Sequence, residues 1–165
     1  MPCEWKTVKN DFPKMQTAVK QLHGRSVEVG STDKNAWLAG IHEYGCHIKV
    51  TPKMRAWFAR NGYPLKKATT EIVIPERSFL RAGFDENAEG VVEMYEDALG
   101  DALGGTMPVN LFLQGIGVEL ATKIKTYARN LSNPPDSRMT IERKGSSNPL
   151  FKTGGMIESI NYEVK

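Results

Sequence analysis

From Ala82 to Leu120 the chain carries no lysine or arginine, yet apolar residues recur through that span at steps of three and four. Leu80, Phe84, Ala88, Val91, Val92, Tyr95, Leu99 and Leu103 share one face of a helix, and that face has to be buried. Asp85, Glu86, Glu89, Glu93, Glu96, Asp97 and Asp101 occupy the other side, with no basic residue beyond Arg81 along the helical run. Just upstream, Glu71-Ile72-Val73-Ile74 reads as a short strand and Pro75-Glu76-Arg77-Ser78 as a hinge. The stretch from Thr69 to Leu103 is therefore a strand, a hinge and one long helix, and the rest of the chain must cover its apolar face.

A second long helix follows. Gly104-Gly105 makes a turn, Thr106-Met107-Pro108 restarts the helix, and Phe112, Ile116, Leu120, Ile124, Tyr127 and Leu131 again share a face. Two such helices joined by a tight turn pack as an antiparallel pair. Gly90, Gly100, Gly115 and Gly117 lie inside them, each disfavoured by about 1 kcal/mol relative to Ala. Either a helix bends there or something packs very close.

The first half of the chain predicts shorter elements. Residues 14–22 form a two-turn helix with a stripe of Met15, Ala18, Val19 and Leu22, stopped at His23-Gly24. Arg25 to Gly30 alternates around Val27 and Val29 as a strand. Ser31-Thr32-Asp33 can cap a helix lined by Trp37, Leu38, Ile41 and Tyr44 and ended by Gly45. Ile48-Lys49-Val50 is a short strand, and Thr51-Pro52 starts a helix with Met54, Trp57 and Phe58 on one side and Lys53, Arg55 and Arg60 on the other. Residues 46–74 thus read as a hairpin with a helical tip. Residues 132–155, rich in Pro, Gly and Ser, predict a long loop, and a loop of that length is a candidate for reaching a partner. Met156 to Ile160 gives one helical turn and residues 161–164 a terminal strand. The expected fold is α+β: one domain spanning 1–165, with a small, mostly antiparallel sheet packed against a pair of long antiparallel helices.

A chain of 165 residues buries enough surface to fold without metal or disulfide. Cys3 and Cys46 are its only cysteines and are expected to be reduced. No apolar run reaches the roughly 20 residues of a membrane span, and the start, Met1-Pro-Cys-Glu-Trp-Lys, lacks a secretory apolar region, so a cytoplasmic site of synthesis and residence is expected. The net charge of +3 is too small to announce a nucleic-acid binder. Its distribution is uneven: residues 1–81 hold 14 basic and 7 acidic side chains, and residues 121–165 hold 8 and 4. The acidic helix is then either a solvated face or a surface that orients a copy of the chain or a partner.

Catalytic patterns are weak. His42-Glu43-Tyr44-Gly45-Cys46-His47 has residue types that zinc prefers, but its histidines are five apart with a helix-ending glycine between them. Gly115-Ile116-Gly117 lacks the third glycine and the preceding strand of a dinucleotide loop. Pro135-Asp136 followed by Glu142-Arg143-Lys144 resembles a magnesium-dependent nuclease signature with too short a spacing. Arg55, Arg60, Lys66 and Lys67, interleaved with aromatics, would serve a nucleic-acid-binding module. No cofactor or metal is expected.

Several stretches taken in order, Val27 to Gly30, Ile41 to Gly45, Ile74 to Arg81, Asn133 to Pro135, Thr140-Ile141, Arg143 to Gly145, Thr153-Gly154, Met156 and Ser159-Ile160, resemble the tailed-phage virion-morphogenesis family of tail-completion or neck proteins. The resemblance spans roughly residues 25–164, with residues 52–70 as a longer version of a region that is short in many relatives, and with Glu76 where the family often has a small residue. It implies a non-enzymatic structural protein of a phage or prophage virion, assembled in the host cytoplasm as a ring or partial ring where tail meets head. The expected partners are the connector and the tail-tube or tail-terminator proteins, with DNA passing nearby but not specifically bound, and no membrane. Arg77, Phe79, Arg81, Glu89, Glu93, Glu96, Arg143 and Lys144 are the candidate assembly-interface residues, with Arg77 and Arg81 pairing with acids of the same or a neighbouring subunit. Tail terminator and head-closure connector are the neighbouring roles; a DNA-binding protein and a magnesium-dependent nuclease are the rivals.

Overall fold

The computed structural model describes residues 10–165. Cys3 lies outside them, and Cys46 is a free thiol. In chain order the elements are α1 (Phe12–Leu22), β1 (Val27–Ser31), α2 (Ala36–Tyr44), β2 (Cys46–Lys49), α3 (Pro52–Arg60), β3 (Glu71–Ile74), α4 (Leu80–Met94), α5 (Glu96–Gly104), α6 (Val109–Asn130), α7 (Arg138–Lys144), α8 (Gly155–Glu158) and β4 (Ile160–Val164). The fold is α+β, and both strand pairings are antiparallel. The single small sheet expected from the sequence is instead two separate two-stranded ribbons. β1 pairs with β4, Val27 opposite Val164 and Ser31 opposite Ile160, and β2 pairs with β3, Cys46 opposite Ile74 and Lys49 opposite Glu71. Among the described residues no helix is long and apolar enough to cross a membrane.

The antiparallel helix pair is α4 against α6, and glycine sets its spacing. A Cβ on Gly83 would stand 3.3 Å from the Tyr127 ring, and one on Gly115 2.8 Å from Tyr95. Tyr127 of α6 thus lies on Gly83 at the start of α4, and Tyr95, just past the end of α4, lies on Gly115 of α6. This close approach selects a small-residue face, so Gly83 and Val91 are buried while Phe84 and Val92 are exposed. The apolar stripe read from the sequence is turned by about one residue. The long helix is also interrupted: Tyr95 leaves the helical conformation (φ −102°, ψ 6°) and separates α4 from α5. Its ring lies edge-on to Phe112, 6.2 Å between centroids, and packs against both cores of the molecule. One core gathers Phe79, Val91, Leu120, Ile124, Ile157 and Ile160. The other gathers Ala18, Ala102, Val109, Phe112 and Leu113, where α1 and α5 meet the start of α6.

The β1/β4 ribbon lies on α6 at Gly117, where a Cβ would fall 2.6 Å from Cγ of Tyr162. Gly115 and Gly117 are therefore places of close packing, whereas Gly90 and Gly100 face open space. Opposite outcomes are expected. Gly117→Ala should destabilise by about 1–3 kcal/mol through overpacking. Gly90→Ala should stabilise by up to about 1 kcal/mol, through helix propensity and a less free unfolded chain. Urea unfolding of the two variants checks both signs.

The second ribbon is the expected hairpin with a helical tip. Thr51 caps α3, its hydroxyl accepting from Met54 N–H. Arg55 reaches across the tip, donating to the carbonyls of Leu65, Lys66 and Thr69. The expected loop at 132–155 contains a helix the sequence reading lacked, α7, capped by the Ser137 hydroxyl and closed by Gly145 in the left-handed region. Seven residues carry too few periodic positions to stand out among Pro, Gly and Ser.

Candidate functional site

Gly45, at φ 72°, ends α2 and admits the chain where a side chain cannot go: a Cβ there would lie 2.9 Å from both Ile74 O and Glu76 N. The last turn of α2 is therefore pressed against the hinge 75–78, and Arg77 N–H donates to His42 O at 2.7 Å. The side chains at the end of α2 then do two different jobs.

Glu43 is 2% exposed and turns inward to the start of α4. Its carboxylate accepts from Leu80 N–H (2.8 Å), Arg81 N–H (3.0 Å), the Ser78 hydroxyl (3.0 Å) and Arg81 Nε (2.9 Å). Phe79, at the N-cap position, supplies no side-chain acceptor to α4, so the free amides of its first turn are met by an acid from another element, where a negative charge also suits the helix dipole. Burial pushes the Glu43 carboxyl up, but the Leu80 and Arg81 amides, the Arg81 guanidinium and the Ser78 hydroxyl outweigh it and hold its pKa below the ordinary value. Arg81 is half exposed, pairs also with Glu76 at 2.6 Å, and lies over the Tyr44 ring, 4.7 Å from its centroid.

Arg77 is 3% exposed and points the other way. Nε donates to Pro134 O (2.8 Å), and Nη2 to Pro135 O (3.2 Å) and Asp136 Oδ1 (2.9 Å), while Nη1 lies 3.4 Å from His42 Nδ1. Asp136 Oδ2 accepts from Lys144 Nζ at 2.5 Å, and Lys144 donates further to Asn148 O (2.6 Å) and Pro149 O (3.1 Å). Burial, together with the Arg77 and Lys144 charges and against the pull of Asp136, lowers the His42 pKa and favours its neutral form. The result is a charged joint, Arg77–Asp136–Lys144, that fastens segment 132–155 to the hinge. Among the described residues no buried side-chain polar atom lacks a hydrogen-bond partner. This geometry fixes the position of segment 132–155 against the hinge.

The candidate interface residues separate into two sets. Phe79 is fully buried and belongs to the core, Arg77 is buried in the joint, and Lys144 is spent on Asp136 and two carbonyls, so these three have no free surface to offer. Arg77 and Arg81 pair with acids of their own subunit. Arg143 stacks over Trp57, 4.7 Å from the ring centroid, and Glu142 bonds to both Tyr63 and Arg138, so α7 is clasped to the hairpin. Segment 132–155 is thus held along its length by its own chain. Glu89, Glu93 and Glu96 do lie on the surface, and among the described residues no ion pair engages them or Asp85, Glu86 and Asp97.

Two sequence patterns lose their geometry. Asp136 and Glu142 do not converge: Lys144 turns toward Asp136, and Glu142, two residues away on α7 and so on the opposite side of it, faces Tyr63. No group of three or more metal-ligating side chains assembles among the described residues. Arg55 of the basic set is committed to the hairpin carbonyls, whereas Arg60, Lys66 and Lys67 are exposed. In comparisons with known proteins, no family model, curated protein or solved structure matches the chain.

What sequence reasoning missed is Glu43. The available signal was indirect: the first turn of α4, Leu80-Arg81-Ala82, has no acid of its own, so its amides needed an acceptor from elsewhere.

Proposed function

We propose that this chain is a non-enzymatic assembly protein of a tailed-phage or prophage virion, acting in tail completion or head–tail joining. One observation supports this reading most directly. Segments whose order resembles the virion-morphogenesis family, Ile41 to Gly45, Ile74 to Arg81, Asn133 to Pro135 and Arg143 to Gly145, come together at one joint through Glu43, Arg77, Asp136 and Lys144. The ionised groups of that joint are used up in holding the chain, while elsewhere charge is segregated along the sequence, residues 82–120 carrying no base and residues 48–70 no acid. A subunit of this kind is a rigid connector with directional surfaces. In the assembled neck it would self-associate into a ring and contact connector and tail-tube or tail-terminator proteins, with DNA passing nearby but not specifically bound. A tail-terminator or head-closure role would use the same surfaces.

Electron microscopy of particles made by the parent phage with the gene deleted tests the proposal. Filled heads beside separate, finished tails, joined when the purified protein is added back, are the expected result. Normal virions from the deletion would overturn it.

A further inference from the structure

Two surfaces of this chain are opposite in charge, and each exposes apolar side chains. The first is the tip of the β2/β3 hairpin. From Ile48 to Thr70 there is no acid, and Lys49, Lys53, Arg60, Lys66 and Lys67 are free of ion pairs among the described residues. On α3 this tip carries an apolar hollow of about 280 Å³, lined by Lys53, Met54, Trp57 and Phe58. Arg143 of α7, stacked on Trp57, adds a further cation beside it. The second surface is the outer side of α4 and α5. Apart from Arg81, which is paired with Glu43 and Glu76, it has no cation, and it exposes apolar side chains that an isolated subunit would normally bury: Phe84, Val92 (60% exposed), Met94 and Leu99. On α4, Val92 lies among Asp85, Glu89 and Glu93. One surface is a hollow with a basic rim; the other is a set of apolar knobs with an acidic rim.

We propose that the hairpin tip of one copy docks on the α4–α5 face of the next, an apolar side chain of that face entering the hollow on α3 while Lys53, Arg60, Lys66 and Lys67 meet Glu89, Glu93 and Glu96. The occupant is a second copy because each surface supplies what the other lacks, and the two form no ion pair with one another within the chain. The contact uses different patches on the two partners, so it is made either reciprocally in a two-fold pair or head to tail in a ring or open filament. Single-stranded nucleic acid suits the hairpin less well, because Arg143 already lies over the Trp57 ring, on a face that a base would stack against. The inference rests on the assembly reading above and names the surfaces that assembly would use.

Sedimentation velocity on the purified chain, at low and high salt, tests it with two charge reversals on exposed side chains: K53E/R60E/K66E/K67E on the hairpin and E89K/E93K/E96K on α4–α5. The unaltered chain should associate at low salt and dissociate as salt screens the rims. Either reversal alone should raise the apparent dissociation constant on the order of 100-fold, since like charges would face each other. Mixing the two reversed proteins should restore association, because each now matches the other. A chain that stays monomeric at low salt, reversals without effect, or a mixture that fails to associate would each overturn the proposal. So would an unchanged oligomer accompanied by loss of duplex-DNA binding, followed by fluorescence anisotropy, in the hairpin variant. If the deletion phage leaves heads and tails unjoined while these variants associate normally, the assembly role stands and this interface falls.

Discussion

Asp136→Asn will destabilise the folded chain by about 3–5 kcal/mol, the usual cost of removing one partner from a buried ion pair. Both carboxylate oxygens are occupied, one by Arg77 and the other by Lys144, and the three side chains are 8%, 2% and 11% exposed. The neutral amide keeps the shape but leaves two buried cations facing each other without an anion, and its NH2 group can only point at donors. For a domain of this length that corresponds to a fall in melting temperature of roughly 6–20 °C. Urea unfolding monitored by tryptophan fluorescence measures it. Glu28→Gln, which breaks the exposed pair with Lys165, serves as the contrast and should change stability by less than about 1 kcal/mol. A near-normal Asp136→Asn would mean that the joint does not hold segment 132–155. The nuclease reading makes a different demand on the same residue, a stable protein that loses magnesium-dependent DNA cleavage.

Glu43→Ala should cost about 3 kcal/mol, since hydrogen bonds to a charged group contribute about 1.5–3 kcal/mol each and are not additive around one carboxylate. It would leave the Leu80 and Arg81 amides and the Ser78 hydroxyl without their acceptor inside the protein. The effect has a local signature: amide exchange at Leu80 and Arg81 should accelerate before the rest of α4 and the cores respond. It also has a pH signature whose sign follows from linkage. The folded carboxyl titrates below its ordinary value of 4.5, so the stabilisation it provides is fully present above that value and is lost as pH falls through the lower folded value. The unaltered protein should show this acid-side loss and Glu43→Ala should lack it. Equal slopes in the two proteins would remove Glu43 from its place at the start of α4.

The elements were largely readable from the chain. The strand Glu71–Ile74, the cap at Thr51 and the stop at Gly45 all rest on local rules: alternation over a few residues, a hydroxyl before proline, a glycine where φ turns positive. The acidic, base-free surface was also plain, because charge is a property of composition. Much less of the joint could be read. Arg77 and Asp136 are 59 positions apart, and Glu43 and Leu80 are 37 apart; neither pairing leaves a periodic trace, and each of these residues alone resembles an ordinary surface charge.

The sequence by itself therefore determined the fold class, the antiparallel helix pair, the hairpin with its helical tip and the separation of acidic from basic surfaces, since those follow from short-range periodicity and from counting charges. Only the tertiary structure decided which face of α4 is buried, that the helical run breaks at Tyr95, that Phe79 is core, and that Glu43, Arg77 and Asp136 hold the corner together. Those outcomes depend on how closely two helices approach at Gly83 and Gly115 and on which distant group meets each buried charge, and such quantities exist only once the chain has packed.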